Sequence, residues 1–151
     1  MLFHDAALSF LHFTFLFVLV AALGAEAFLL RLPVDARLAR LLLRIDAFYG
    51  ISALGLLGAG AARAIWGAKG WEYYAGQPFF WAKLATFALI GLISIWPTLT
   101  FLKWSKAARA DASFQAGEAS AAGVRRLVVA ELHLLALIVL FAVLMARGIG
   151  G

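Results

Sequence analysis

This chain predicts an all-α fold, a four-helix transmembrane bundle that takes up residues 1–151 as one integral membrane domain, and three observations carry the prediction. Hydrophobic stretches bounded by glycine or arginine fill residues 7–30, 41–66, 79–102 and 127–145, each near the ~20 residues that cross a bilayer as a helix. The composition is 65% hydrophobic and 14% charged, with a mean hydropathy of +0.96. That leaves too little polar surface to coat a water-soluble globule. The cations gather at span ends: Arg31, Arg37, Arg40, Arg44, Lys103, Lys106, Arg109, Arg125 and Arg126 flank loops one and three, against Arg63, Lys69, Lys83 and Arg147 on the other side. The positive-inside rule then places loops one and three in the cytoplasm and both termini outside, in a periplasm if the host has one.

The first span follows a leader, residues 1–9, that has no Lys or Arg and carries Asp5, and its apolar run continues to Leu30. It therefore reads as a spanning helix and not as a secretory signal. The second span is rich in small residues, among them Gly50, Ala53, Gly55, Gly58, Ala59 and Gly60. Such a face suits close helix approach, either within the bundle against the small residues 21–25 of span one or as a seam between copies. Pro78 can start the third span and Pro97 should kink it. Loop three, residues 105–123, reads as long and mobile; its Ala-rich run 107–110 extends span three a little, while Gly117 and Gly123 disfavour a longer helix. Trp66, Trp71, Tyr73, Tyr74 and Trp81 are expected to form an outer aromatic belt, with Trp96 and Trp104 towards the inner face.

Ionisable groups within the spans are costly in hydrocarbon and are the place to look for function. At ~1.5 Å per residue, His12 and Lys83 both lie roughly 6–7 Å below the outer ends of their spans. Glu26, Asp46 and Glu131 form an acidic layer nearer the inner face, with Arg44 and Arg126 at hand to neutralise it. At about 100° per residue, His12 and Glu26 differ by only about 40°, Asp46 shares the small-residue face of span two, and Arg63 is about 100° away from it. Arg63 either joins the acids in a polar network or snorkels outward. Glu131 and His133 are about 200° apart, which puts Glu131 inside and His133 against lipid or a second subunit. His4 is expected at the interface without special role. The formal charge of +5 belongs with anionic lipid rather than nucleic acid. The chain has no cysteine, so there is no disulfide and no cysteine-held cluster.

A neutral imidazole and a neutral amine can each offer a lone pair to iron, so His12 with Lys83 is one candidate axial pair for haem b. In the other reading, Lys83 reaches the headgroups and His12 bonds a neighbouring carbonyl. His12 with His133 is disfavoured by a level difference of roughly 11 Å.

The segments Lys69-Gly70-Trp71-Glu72-Tyr73-Tyr74, Gln77-Pro78-Phe79-Phe80-Trp81-Ala82-Lys83-Leu84, Ser94-Ile95-Trp96-Pro97-Thr98 and Leu144-Met145-Ala146-Arg147-Gly148 resemble a family of predicted bacterial membrane proteins, domain of unknown function 2214. The resemblance covers nearly the whole chain and implies a four-helix, multi-pass protein of the bacterial inner membrane. More distantly, Leu11-His12, Lys83-Leu84 and the position of Glu131 are similar to the HemJ-type protoporphyrinogen oxidases, which carry haem b. That similarity implies haem near His12, with Lys83 as second ligand. The chain departs from it at Ala130 (Asn there), at His133 (Pro there) and at residues 93–95, where that family's later histidine is missing. These departures tell against porphyrinogen oxidation rather than against haem.

Two classes of function follow. One is a haem-b redox protein or electron carrier, an oxidoreductase if it is an enzyme, with iron between His12 and Lys83. The other is a cofactor-free accessory subunit or small transporter whose Glu26, Asp46, Arg63 and Glu131 form a buried network or a proton path. No nucleophile triad, phosphate loop, metal-protease helix or dinucleotide fingerprint is present. The bilayer is the one certain partner, and a homo-oligomer or larger membrane complex is compatible with the pattern.

Overall fold

The protein is described from a computed structural model that covers residues 2–149, the side chains of Leu2 and His4 excepted, so the expectation for His4 lies outside what is described. Helices α1 (Leu2–Leu29), α2 (Ala36–Trp66), α4 (Pro78–Ala110) and α5 (Glu118–Ala146) are long, and α3 (Gly70–Ala75) is one short turn of helix between α2 and α4. The four long helices are long and apolar enough to cross a membrane. α1 packs on α2 and α5, α2 on α4, and α4 on α5. The bundle is therefore a square in the order α1–α2–α4–α5, with α1 facing α4, and α2 facing α5, across its diagonals.

Each helix buries one stripe and presents the rest to lipid, as expected where every backbone group is bonded within its own helix. The buried stripe of α2 is Leu42, Asp46, Tyr49, Ser52 and Leu56, and that of α5 is Ala121, Val124, Val128, Glu131 and Leu135, both at three- and four-residue steps. Leu19, Leu23, Ile90 and Phe101 complete the interior, while Phe17, Leu54, Leu92 and Leu140 point outward.

At one end, here called the basic end, the helices run further than the sequence suggests. α2 begins at Ala36 because Asp35 caps it, its carboxylate accepting the Leu38 N–H at 2.8 Å, which satisfies one of the free donors of a helix start. α4 continues to Ala110, where Arg40 Nη1 donates to the Ala108 carbonyl at 3.1 Å, a cation on the negative end of the helix dipole. α5 begins at Glu118 and runs through Gly123. The roughly 1 kcal/mol that an interior glycine costs is offset by burial of Ala121 and Val124 beside it.

Loop three thus shrinks to residues 111–117 and is tied down by hydrogen bonds. Ser113 donates to Asp111 Oδ1 through its hydroxyl at 2.7 Å and its backbone N–H at 2.8 Å. Those two bonds, the hydroxyl first, hold the Asp111 carboxyl below the usual carboxylate range. The Ala116 N–H donates to the Val34 carbonyl at 2.9 Å, tying loop three to loop one. Trp104, expected at the inner rim, is buried against Phe101, with ring centroids 5.9 Å apart, because the helices continue past it.

At the other end, the aromatic end, α3 lies over α2 and α4, and Trp71 packs edge-on against Phe80 and Trp81 at 6.1 and 6.3 Å. Trp66, Trp71 and Trp81 are exposed there, as a headgroup-level belt requires. Pro78 opens α4, and Pro97 lies inside α4 without ending it.

Two glycines of α2 lie against aromatic side chains of α1. A Cβ at Gly55 would lie 2.5 Å from Cε1 of Phe15, and one at Gly60 3.3 Å from Cε1 of His12, whereas Gly24, Gly50 and Gly58 face open space. Aromatic rings of α1 sit in the glycine notches of α2. Gly55→Ala should therefore lower stability by about 1–3 kcal/mol through overpacking, read as a melting shift in detergent and partly recovered by Phe15→Leu. Gly58→Ala, with nothing to collide with, should be neutral or stabilising.

Candidate functional site

The polar residues of the interior collect in two layers of opposite sign. In the first, α1, α2 and α5 bring Glu26, Asp46 and Glu131 together, at 1%, 6% and 1% exposure. Each stands on its helix's buried stripe, in step with the neighbouring Leu23, Leu42 and Val128. Their level is set by the α1–α2 register. Glu26 lies fourteen residues after His12, and Asp46 fourteen before Gly60, so the antiparallel contact of His12 with Gly60 also brings the two carboxyls level.

Thr98 Oγ1 of α4 donates to Asp46 Oδ1 at 3.0 Å, and the Tyr49 hydroxyl donates to Glu131 Oε2 at 3.0 Å across the α2–α5 diagonal. Glu26 Oε1 and Glu131 Oε1 are buried without a partner. Glu26 feels the charge of both other acids, and Glu131 that of Asp46.

Among the described residues no cation joins them. Arg44 and Arg126, expected to neutralise the layer, are both exposed, and neither hydrogen-bonds to an acid among the described residues. Arg44 is two residues before Asp46 and Arg126 five before Glu131, which turns them roughly 160° and 140° off the acids' faces. Arg63 stands seventeen residues beyond Asp46 on α2, roughly 25 Å along the helix. His133 is exposed, its Nδ1 donating to the Val129 carbonyl at 2.7 Å, so Glu131 faces in and His133 out, as helical phase implies.

A cavity of about 520 Å³ lies between α2 and α4, with Asp46, Tyr49, Ser94 and Thr98 as its polar lining. Its other lining residues include exposed Leu54 and Gly91, so it opens sideways on the lipid-facing surface. The three carboxyls are in electrostatic range but not gathered for coordination: among the described residues no three His, Cys, Asp or Glu could hold a common metal ion. Chemically the layer can bind, share and release protons. Tyr49 and Thr98 went unnoticed in the sequence, although Tyr49 follows Asp46 by three residues, one helical turn on the same face.

The second layer holds His12, Arg63 and Lys83, from α1, α2 and α4. Arg63 and Lys83 both act on His12 through their charge, and Arg63 on Lys83. His12 Nδ1 and Arg63 Nε are buried without a partner. The arrangement does not fit a haem held between His12 and Lys83. The Nδ1–Cε1 edge of the imidazole is turned onto Gly60 of α2, and the Leu56 carbonyl is within reach of the ring. Lys83 Nζ sits 5.7 Å from the Phe80 ring centroid, and Arg63 is in the field of both His12 and Lys83.

The family model of the predicted membrane proteins DUF2214 matches residues 4–150, and the chain belongs to that family. No curated protein and no solved structure matches, and the distant similarity to HemJ-type oxidases rests on the residues quoted for it alone.

Tyr49→Phe should cost about 0.5–1.5 kcal/mol, the usual net value of one buried hydrogen bond. In a double-mutant cycle with Glu131→Gln it should be non-additive. Arg44→Ala with Asp46→Asn should instead be additive within about 0.5 kcal/mol, measured by melting in detergent.

Proposed function

We propose that this DUF2214 protein is a proton-handling protein of the bacterial inner membrane, either a small proton-coupled transporter or the proton-conducting subunit of a larger membrane complex. Glu26, Asp46 and Glu131 take up and release the protons. The observation that carries the reading is the convergence of three carboxyls from three helices with no cation joining them among the described residues. In a medium of low dielectric, like charges so close cannot all persist, and an uncompensated buried carboxylate is strongly destabilising. The group that neutralises them is then a proton. Tyr49 and Thr98 supply hydroxyls that hold Glu131 and Asp46 in place and can pass a proton on. The sideways cavity at Asp46 offers the exchange route, and water or a polar ligand entering it reaches the acid first.

The orientation we propose has both termini outside and the basic end in the cytoplasm, supported by the nine against four distribution of Lys and Arg. Because the chain has no cysteine, Ser113→Cys provides a unique label site on the exposed loop three. It should react with an impermeant thiol reagent only after the cells are permeabilised; labelling in intact cells would reverse the orientation.

For the function itself, the purified protein in proteoliposomes should collapse an imposed pH gradient faster than empty liposomes. Asp46→Asn and Glu131→Gln should each slow that collapse about tenfold or more, while His133→Ala leaves it unchanged. Rates equal to those of protein-free vesicles would contradict the reading. So would a Soret band in protein from haem-replete cells that disappears in His12→Ala, because that result would restore the redox function.

A further inference from the structure

We infer that His12, Arg63 and Lys83 form a binding site for an oxyanion, a phosphate or phosphate monoester group, just inside the aromatic end of the bundle. Three helices converge to make it: the His12 ring lies against Gly60 of α2, three residues before Arg63, and Lys83 sits over the Phe80 ring, which packs with Ala64 of α2. Two of its nitrogens, His12 Nδ1 and Arg63 Nε, are buried and make no hydrogen bond among the described residues, although the Leu56 carbonyl is within reach of the imidazole. A buried polar atom left unpaired costs free energy and calls for a missing partner, and a group of cations at the edge of hydrocarbon adds mutual repulsion to that cost.

Among the described residues no carboxylate meets the need. Asp5, near the same end, accepts the Ala68 N–H at its Oδ1 at 3.2 Å, and Glu72 on α3 is exposed. The three interior acids belong to the other layer, Glu26 lying fourteen residues from His12 and Asp46 seventeen from Arg63.

The donor set suits an oxyanion. A guanidinium offers a planar fork of N–H groups, an ammonium a mobile point charge, and an imidazole an N–H of fixed direction. Arg63 is three residues from the end of α2 and Lys83 five from the start of α4, roughly 4.5 and 7.5 Å in. That is the level just below α3 and its Trp and Tyr rings, one step in from the lipid phosphates and from the aqueous side by which a free anion can enter. The inference is independent of the proton-handling reading, because it uses none of the three acids.

The test uses the full-length protein in neutral detergent. Its melting temperature is followed against inorganic phosphate in one arm and against mixed micelles of phosphatidylglycerol or phosphatidylcholine in the other. A saturable rise with inorganic phosphate identifies a free oxyanion as the ligand. A rise with phosphatidylglycerol alone, and not with phosphatidylcholine, identifies a lipid headgroup. In either case Arg63→Gln and Lys83→Gln should each weaken the apparent affinity roughly tenfold, as expected for loss of one charge-assisted bond. Arg63→Lys should keep most of it, and Lys103→Gln at the basic end should change nothing. If Arg63→Gln does not fold, Lys83→Gln and native mass spectrometry of lipid retained by the unaltered protein decide the matter. Stabilisation by neither phosphate nor phosphatidylglycerol overturns the inference, as does stabilisation that Lys83→Gln leaves unchanged.

Discussion

An ionisable side chain in hydrocarbon has to be neutralised by something, and this bundle keeps its acids and its cations too far apart to neutralise one another. Asp46 and Arg63 are seventeen residues apart on α2, and His12 and Glu26 fourteen apart on α1, separations of roughly 25 and 21 Å along the helices. At those distances neither layer can serve as counter-ion to the other. Each is therefore completed by a small species from outside the chain: the acidic layer by protons and the cationic layer by an anion. Among the described residues six buried side-chain atoms lack a hydrogen-bond partner; Gln77 Oε1 and Ser105 Oγ lie outside the two layers, and the other four, Glu26 Oε1, Glu131 Oε1, His12 Nδ1 and Arg63 Nε, mark where the layers are open to chemistry.

The packing that holds the layers in register is simple. Phe15 and His12 of α1 sit over Gly55 and Gly60 of α2, and this pair of contacts fixes how far one helix is slid along the other. A slip of one turn would separate Glu26 from Asp46 and move His12 away from Arg63. The glycines of α2 thus act on the polar sites through helix register, although none of them touches an acid. On the far side, Thr98 of α4 and Tyr49 reach Asp46 and Glu131 with single hydrogen bonds. The acidic layer is therefore supported from all four long helices.

Much of this was legible in the sequence, and the remainder was hidden for definite reasons. Length and hydropathy fix the four spans because a bilayer has a thickness. The 3.6-residue period turned Glu131 in and His133 out, and put Asp46 on the glycine face, because those are properties of one helix alone. The same arithmetic turns Arg44 and Arg126 outward and should have removed them as partners for the acids. Which helices become neighbours is not a single-helix property. Equal depth puts His12 and Lys83 in one layer, but it does not show that the imidazole packs on Gly60 of α2 or that Arg63 lies in the field of both. The extra turns at the basic end were also obscured, since glycine at 123 argues against helix by propensity and is overruled by the burial of its neighbours.

The central claim is that the acidic layer is neutralised by protons and not by arginine, and infrared spectroscopy of the protein in lipid at neutral pH tests it most directly. The account predicts a carbonyl stretch of protonated carboxylic acid that is shielded from deuterium exchange. It should diminish in Glu26→Gln and in Glu131→Gln and persist in Arg44→Ala and Arg126→Ala. A spectrum with carboxylate bands alone, or a protonated band indifferent to both glutamate substitutions, would contradict it.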